Sequence, residues 1–298
     1  MPGSLLSALC LPLVLHLRNV GRIKLDDVTV FGILALVLGW LILLGDMQIY
    51  MLCEGRRYWP KAARVWGLRR ETKRLQTLFR KAGDEHLSAS ERKEKQIDLT
   101  DGFPTTNAGE LEARYPTKLG NLLTSFEEYP RRKYGLDGVF FWPRLWVAID
   151  KDLREELDNA QAIVDGALYL SVSLVIGALV LAVYSGVSAW NPHAIPTLTV
   201  SPMTLLFGAV AAAICSRALY LVSLHGQRQY GVLFKALFDQ HLEKLAFDDL
   251  VEDLAEHFDE PDLMSQTKRR RNMAAWRFLR WHRYRRDGKN ILVTDWED

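Results

Sequence analysis

The chain has almost none of the local signatures from which chemistry is read. Its three cysteines, Cys10, Cys53 and Cys215, lie in or beside apolar runs, and no two stand at the spacing of a zinc or redox motif. Buried apolar thiols are the expectation, and nothing points to a disulfide framework. None of the seven histidines (His16, His86, His193, His225, His241, His257, His282) has another at the i, i+4 spacing of a helical zinc site. A phosphate-binding glycine loop and a Gly-x-Ser-x-Gly elbow are missing too. The neighbouring acids Glu127 with Glu128, and Asp248 with Asp249, face different ways on a helix, which makes them solvated charge rather than acid/base pairs. No catalytic residue, cofactor or metal ligand is therefore expected, and an enzyme is the less favoured class.

A strong charge of one sign is lacking as well. The net charge of +2 nevertheless hides local asymmetry, because the charges lie between long apolar runs. About 20 mainly apolar residues cross the hydrocarbon core of a bilayer as a helix. Three runs qualify: Val28 to Leu52, Ala162 to Trp190 and Met203 to Leu224. Only "NPHAIPTLTVSP" separates the last two, so they read as a hairpin. The run Leu5 to Leu17 is too short to span upright, contains Pro12 and lacks the basic leader of a signal peptide. It reads as an interfacial or re-entrant helix, with a tilted span as the alternative. The expected fold class is mainly α: an integral membrane protein with three transmembrane helices, that short N-terminal segment, and a helical cytoplasmic domain.

Basic residues set the orientation. Ten Lys or Arg residues crowd Glu54 to Lys81, whereas the hairpin tip has none. Positive loops stay in the cytoplasm. The expected division is residues 1–53 for the N-terminal segment and first span, and 54–161 for a cytoplasmic middle region. Residues 162–224 then form the hairpin, and 225–298 a cytoplasmic C-terminal region. Trp40, Tyr58, Trp59 and Trp190 are candidate interface aromatics.

The middle region opens with Val65, Leu68, Leu75, Leu78 and Phe79 at helical spacing among basic residues, including Arg64, Arg69 and Arg70. A basic amphipathic helix beside a membrane attracts anionic headgroups. Residues 84–114 are polar and little periodic, and read as a loop. Next, Thr117 is placed to cap a helix whose Leu119, Leu122, Leu123 and Phe126 share one face. Pro130 should end it, "RRKYGLDG" should turn, and Pro143 should interrupt the aromatic block "VFFWPRLW". Arg144 should stack on aromatics or pair with Asp137. Asp150 is the expected cap of a helix running unbroken into the second span.

Beyond the third span, Leu233, Phe234, Leu237, Phe238, Leu242 and Leu245 make an apolar stripe suited to packing on the middle region. After "DEPD" comes "KRRRNMAAWRFLRWHRYRR", basic and interleaved with Trp276, Phe278, Trp281 and Tyr284. Three readings stand open. It lies on anionic lipid, with Arg277 and Arg280 facing the headgroups. It binds nucleic acid, the least favoured partner. Or it is a solvated helix with its aromatics in a core. The acidic end "TDWED" is placed to pair with it.

At "YPTKLGN", "YPRRKYGLDGVFFWPRLW" and "YGVLFKALFD" the chain resembles a group of bacterial multi-span membrane proteins. The motif residues are Thr117, Gly120, Asn121, Tyr134, Gly135, Asp137, Trp142, Pro143 and Arg144, with Glu54, Gly55, Tyr58, Trp59 and Pro60 before them. The resemblance implies the architecture above and a bacterial plasma (inner) membrane. It carries no activity.

Three charges fall inside the spans: Asp46, Asp165 and Arg217. A lone charge there costs several kcal/mol and is normally paired or wet. Pairing of Arg217 with Asp46 or Asp165 is expected. Small residues at spacing four, Gly208, Ala212 and Ser216 on the third span and Ala178, Ala182 and Gly186 on the second, suggest close packing. The leading functional expectation is a membrane-anchored interaction, signalling or scaffold component, with anionic lipid and either a protein partner or further copies of itself as partners. The rival is an oligomeric pore or transport subunit using Asp46, Asp165 and Arg217. A membrane enzyme acting on lipid through Asp137, Glu127 or Glu128 comes third.

Overall fold

The computed structural model describes residues 7–8, 27–106, 108–191, 200–245, 247–258, 262–281, 283–286 and 289–292. The expectations for Leu5 to Leu17, for the hairpin tip at 192–199 and for the acidic end lie almost wholly outside these residues. The elements run α1 (Asp27–Leu44), α2 (Asp46–Glu54), α3 (Lys61–Ala82), α4 (Ala89–Gly102), α5 (Lys118–Glu127), α6 (Tyr129–Tyr134) and α7 (Gly138–Ala148). They continue as α8 (Lys151–Trp190), α9 (Pro202–His241), a 3-10 turn (Leu242–Leu245), α10 (Asp248–His257), α11 (Asp262–Ser265) and α12 (Lys268–Trp281). A short antiparallel pair follows, β1 (Arg283–Arg286) with β2 (Lys289–Leu292). The fold is mainly α. The chain divides into two units: residues 1–60 with 158–227, and residues 61–157 with 228–298.

In the first unit, α8 and α9 are long and apolar enough to cross a membrane. α1 and α2 make a third such segment only if taken together, because they are bent by 62° at their junction. The straight span expected from Val28 to Leu52 is thus broken at Gly45, a residue of low helix propensity. α8 packs antiparallel on α9. Ser171 and Ser216 exchange hydrogen bonds, each hydroxyl reaching the other's carbonyl at 3.0 and 2.9 Å. Ser223 Oγ donates to the Val164 carbonyl at 3.3 Å, and Ser185 Oγ to the Pro202 carbonyl at 2.8 Å. The packing face of α8 is therefore Val164, Leu168, Ser171, Leu174 and Ser185. Ala182 and Gly186 are exposed, contrary to the small-residue face expected there. On α9, Ala212 and Ser216 are buried as expected. Outward, Leu36, Trp40, Leu179, Val183, Phe207 and Ile214 are all more than half exposed. An apolar surface on this scale is foreign to water-soluble monomers.

The second unit has true cores. Leu75 of α3 meets Leu99 of α4 and Phe103, with Leu78, Leu111 and Ala113 against them. α4 corrects the loop expected over 84–114. Its start is a capping box: Ser88 Oγ accepts from the Glu91 N–H, and the Glu91 carboxylate accepts from the Ser88 N–H. Phe126, Trp142, Phe234 and Phe238 form an aromatic stack, with ring centroids 4.8 Å apart for Trp142–Phe234 and 5.0 Å for Phe234–Phe238. Val251, Leu254, Phe258, Leu263, Ala275 and Phe278 make a further core from α10, α11 and α12. Each such fully buried Leu or Phe contributes roughly 1.5–3 kcal/mol.

Two local expectations change. Pro130 ends α5 but opens α6, near whose first residue its missing N–H costs nothing. Pro143 sits inside α7 without breaking it. It is exposed in the middle of a short helix, where its missing N–H forfeits a single bond to the first turn. The basic C-terminal segment begins as α12 with Trp276 and Phe278 buried, which fits the reading that puts aromatics in a core.

Candidate functional site

The motif region of the second unit is built on Asn121, which is fully buried. Its Oδ1 accepts from the N–H groups of Arg114 and Tyr115 at 2.9 and 2.8 Å. Its Nδ2 donates to the carbonyls of Tyr115 and Thr117 at 2.9 and 3.0 Å. Thr117 caps α5 as expected, its hydroxyl accepting from the Gly120 N–H at 3.0 Å. One amide thus fastens the strand-like approach to the start of the helix.

Gly135 closes α6 in the left-handed region, with φ 77°. A Cβ there would lie 2.3 Å from the Arg269 carbonyl oxygen, so this turn is where α12 docks. Asn272 Nδ2 donates to the Tyr134 carbonyl at 2.9 Å, from the same side. Asp137 caps α7 through the Phe140 N–H at 2.9 Å, and its other oxygen meets Arg280 at 2.9 Å. Of the two expectations for Arg144 the stacking one holds: it lies over the Phe140 ring at 4.1 Å and donates to the Phe140 carbonyl, and it is Arg280 that pairs with Asp137. Trp142 joins the aromatic stack, and Pro143 is exposed. Tyr134 donates to Asp239 at 2.6 Å, and Tyr129 does so at 2.8 Å.

The same turn gathers arginines. A pocket of about 330 Å³ is lined by Arg114, Arg131, Arg132 and Arg269, with Thr105, Thr106, Glu112 and Glu128. Both glutamates are committed to Arg114, Glu112 at 2.5 Å and Glu128 in a close ion pair. Nothing in the sequence spacing flagged this cluster. Arg132 and Arg269 are 137 positions apart, and only the Gly135 turn brings them together.

Of the proposed lipid-facing residues, Arg64, Arg69 and Arg70 are exposed on α3. Gly67, Glu71 and Leu75 are buried on that helix, while Val65 and Trp66 are exposed within one turn of Arg69, and Phe79 is exposed near its end. Arg280 is exposed and pairs with Asp137 at 2.9 Å. Arg277 is half-buried.

In the first unit the three expected charges do not form one ion-paired cluster. Tyr169 donates to Asp46, and Tyr50 donates to Asp165. Gln227 Nε2 donates to the Tyr50 hydroxyl at 2.7 Å. Arg217 is exposed and lies over the Tyr220 ring at 5.6 Å, paired with neither aspartate. Hydroxyls, which reach in from the facing helices, supply what a guanidinium was expected to give. Nothing in the sequence singles out Tyr50 and Tyr169, neutral polar residues within apolar runs, or Gln227, which lies just past the third run.

Among the described residues no group of three or more His, Cys, Asp or Glu side chains is placed to hold a metal ion. No protein-family model matches the chain, and neither a curated protein nor a solved structure is similar to it.

Proposed function

We propose that this protein is a membrane-anchored interaction component. In this reading α1–α2, α8 and α9 are anchored in a bacterial plasma membrane. The second unit is then presented on the cytoplasmic side, where positive charge accumulates. The observation that carries it is the outward face of α3, where Val65 and Trp66 stand exposed within one turn of Arg69 and Arg70 lies over the Trp66 ring at 5.2 Å. An apolar and basic face of this kind suits the headgroup boundary, with roughly 1 kcal/mol from each basic residue near an anionic surface. α3 begins at Lys61, a few residues after α2 ends at Glu54, so it is tethered where such a face is useful. The unit held there has its own cores.

The mass of the particle extracted in mild detergent, corrected for bound detergent, tests this. One or two copies with a stoichiometric second protein is the expected result. A closed ring of four or more identical chains overturns it in favour of a pore.

One observation favours that second reading: two carboxylates, Asp46 and Asp165, are met by tyrosine hydroxyls and by no cation among the described residues. Such groups in a span are suited to carrying a proton. Dye-reported proton flux into proteoliposomes, lost in Asp165→Asn, is what it requires. The lipid-enzyme reading loses ground, because Asp137 caps α7 and pairs with Arg280 while Glu128 pairs with Arg114.

A further inference from the structure

The arginine pocket of the second unit is overcharged for its own carboxylates. It holds four guanidinium groups against Glu112 and Glu128. Arg114 takes both acids. Arg131, Arg132 and Arg269 have no carboxylate partner among the described residues. Arg131 lies over the Trp276 ring at 5.9 Å. Arg132 reaches the Thr105 hydroxyl with one terminal nitrogen, while its Nε is buried and makes no hydrogen bond. A buried donor left so costs free energy that an anion would recover. Three like charges around one hollow also repel one another unless something negative sits between them.

The geometry points to an oxyanion site, and we propose that it takes a phosphomonoester. Three guanidinium forks offer more donors than the two oxygens of a carboxylate can accept, whereas the terminal oxygens of a phosphate can receive them all. The hydroxyls of Thr105 and Thr106 on the same wall suit the remaining lone pairs. The volume of about 330 Å³ exceeds a bare phosphate and leaves room for the glycerol or sugar that carries it. The phosphate group is common to an anionic lipid headgroup and to a free metabolite.

The architecture places the site under the control of the Tyr-Gly turn. Arg131 and Arg132 stand on α6, Arg269 on α12, and the contact of Gly135 with the Arg269 carbonyl fixes their separation. Thr105 and Thr106 come from a turn closed by the bridge of Thr105 with Leu111. Three segments distant in sequence thus meet at one hollow, independently of what the outward face of α3 touches.

The test uses full-length protein in detergent, with ligand binding followed by calorimetry and thermal shift. Inorganic phosphate, dihexanoyl phosphatidic acid and dihexanoyl phosphatidylcholine are compared at ionic strength matched with sodium chloride. Saturable binding of inorganic phosphate, weakened at least about ten-fold by Arg132→Gln with Arg269→Gln, assigns a soluble phosphate ligand. Binding of the short-chain phosphatidic acid alone, weakened in the same way, assigns a lipid headgroup. Arg269 is exposed, so Arg269→Gln by itself leaves the cores intact and must also weaken binding. Arg69→Gln on α3 should leave it unchanged, which separates this site from the membrane-facing surface. Absence of saturable binding of both inorganic phosphate and the phosphatidic acid, or binding indifferent to the pocket substitutions, overturns the proposal.

Discussion

Gly135 and Arg269 meet backbone to backbone: a Cβ on Gly135 would lie 2.3 Å from the Arg269 carbonyl oxygen. Gly135 is also held at φ 77°, where any other residue is strained. Gly135→Ala therefore acts twice. It adds about 1–2 kcal/mol of left-handed strain, and it pushes α12 off its dock. The expected outcome is a thermal midpoint lowered by several degrees. Proteolysis of α12 at its basic residues should also accelerate under conditions where the wild type is resistant.

Asn121 offers a sharper test of the motif. It makes four hydrogen bonds to backbone groups of Arg114, Tyr115 and Thr117 from a fully buried position. Asn121→Ala leaves two N–H donors and two carbonyls to find new partners. A loss of at least about 2–3 kcal/mol is expected. Chemical unfolding of the detergent-solubilised protein measures it, and a change under about 0.5 kcal/mol would mean that the amide is not the fastening described.

What could be read beforehand follows the range of the interactions. The apolar runs behind α8 and α9, and the Thr117 cap, depend on residues close in sequence, and they are legible there. The capping box at Ser88 and Glu91 was equally local. Yet the polar composition of α4 hid it, since the helix buries little beyond Leu99. The pairing of Asp137 with Arg280 and the arginine pocket depend on how distant segments meet. Charge counting alone matched Arg217 with the aspartates. It missed that tyrosine hydroxyls reach them first.

Alkaline pH should loosen the contact of α6 with Asp239. Hydrogen bonds with Tyr129, Tyr134 and Asp239 hold Lys133 above its ordinary value. Burial pushes Tyr129 and Tyr134 up, the hydrogen bonds to Asp239 add to it, and Lys133 opposes both. A raised lysine contributes stability that is complete below its unfolded value of about 10.4 and is lost as pH rises through the folded value. For the tyrosines the unfolded chain ionises first, above about pH 10, which acts in the same direction. Melting curves between about pH 9 and 12, compared with Asp239→Asn, should show the wild type losing more stability above about pH 10. Parallel curves would detach the tyrosine–lysine cluster from folding.

The buried hydroxyls of the first unit and the exposed guanidinium beside them make opposite predictions. Tyr50 donates to Asp165 and accepts from Gln227, itself 4% exposed. Tyr50→Phe removes this hydroxyl from both partners, and interhelical bonds of this type in membrane proteins contribute about 0.6 kcal/mol on average and up to about 1.7. Because the two groups share one bond, Tyr50→Phe and Asp165→Ala together should destabilise less than the sum of each alone. Arg217 holds no such bond. Arg217→Leu exchanges an exposed stacking contact with Tyr220 for an apolar side chain on an apolar surface, and should stay within about 0.5 kcal/mol of wild type. Thermal midpoints of the four variants in one detergent decide it. If Arg217→Leu falls as far as Tyr50→Phe, the guanidinium reaches the aspartates after all, and the hydroxyl network is not what holds these helices together.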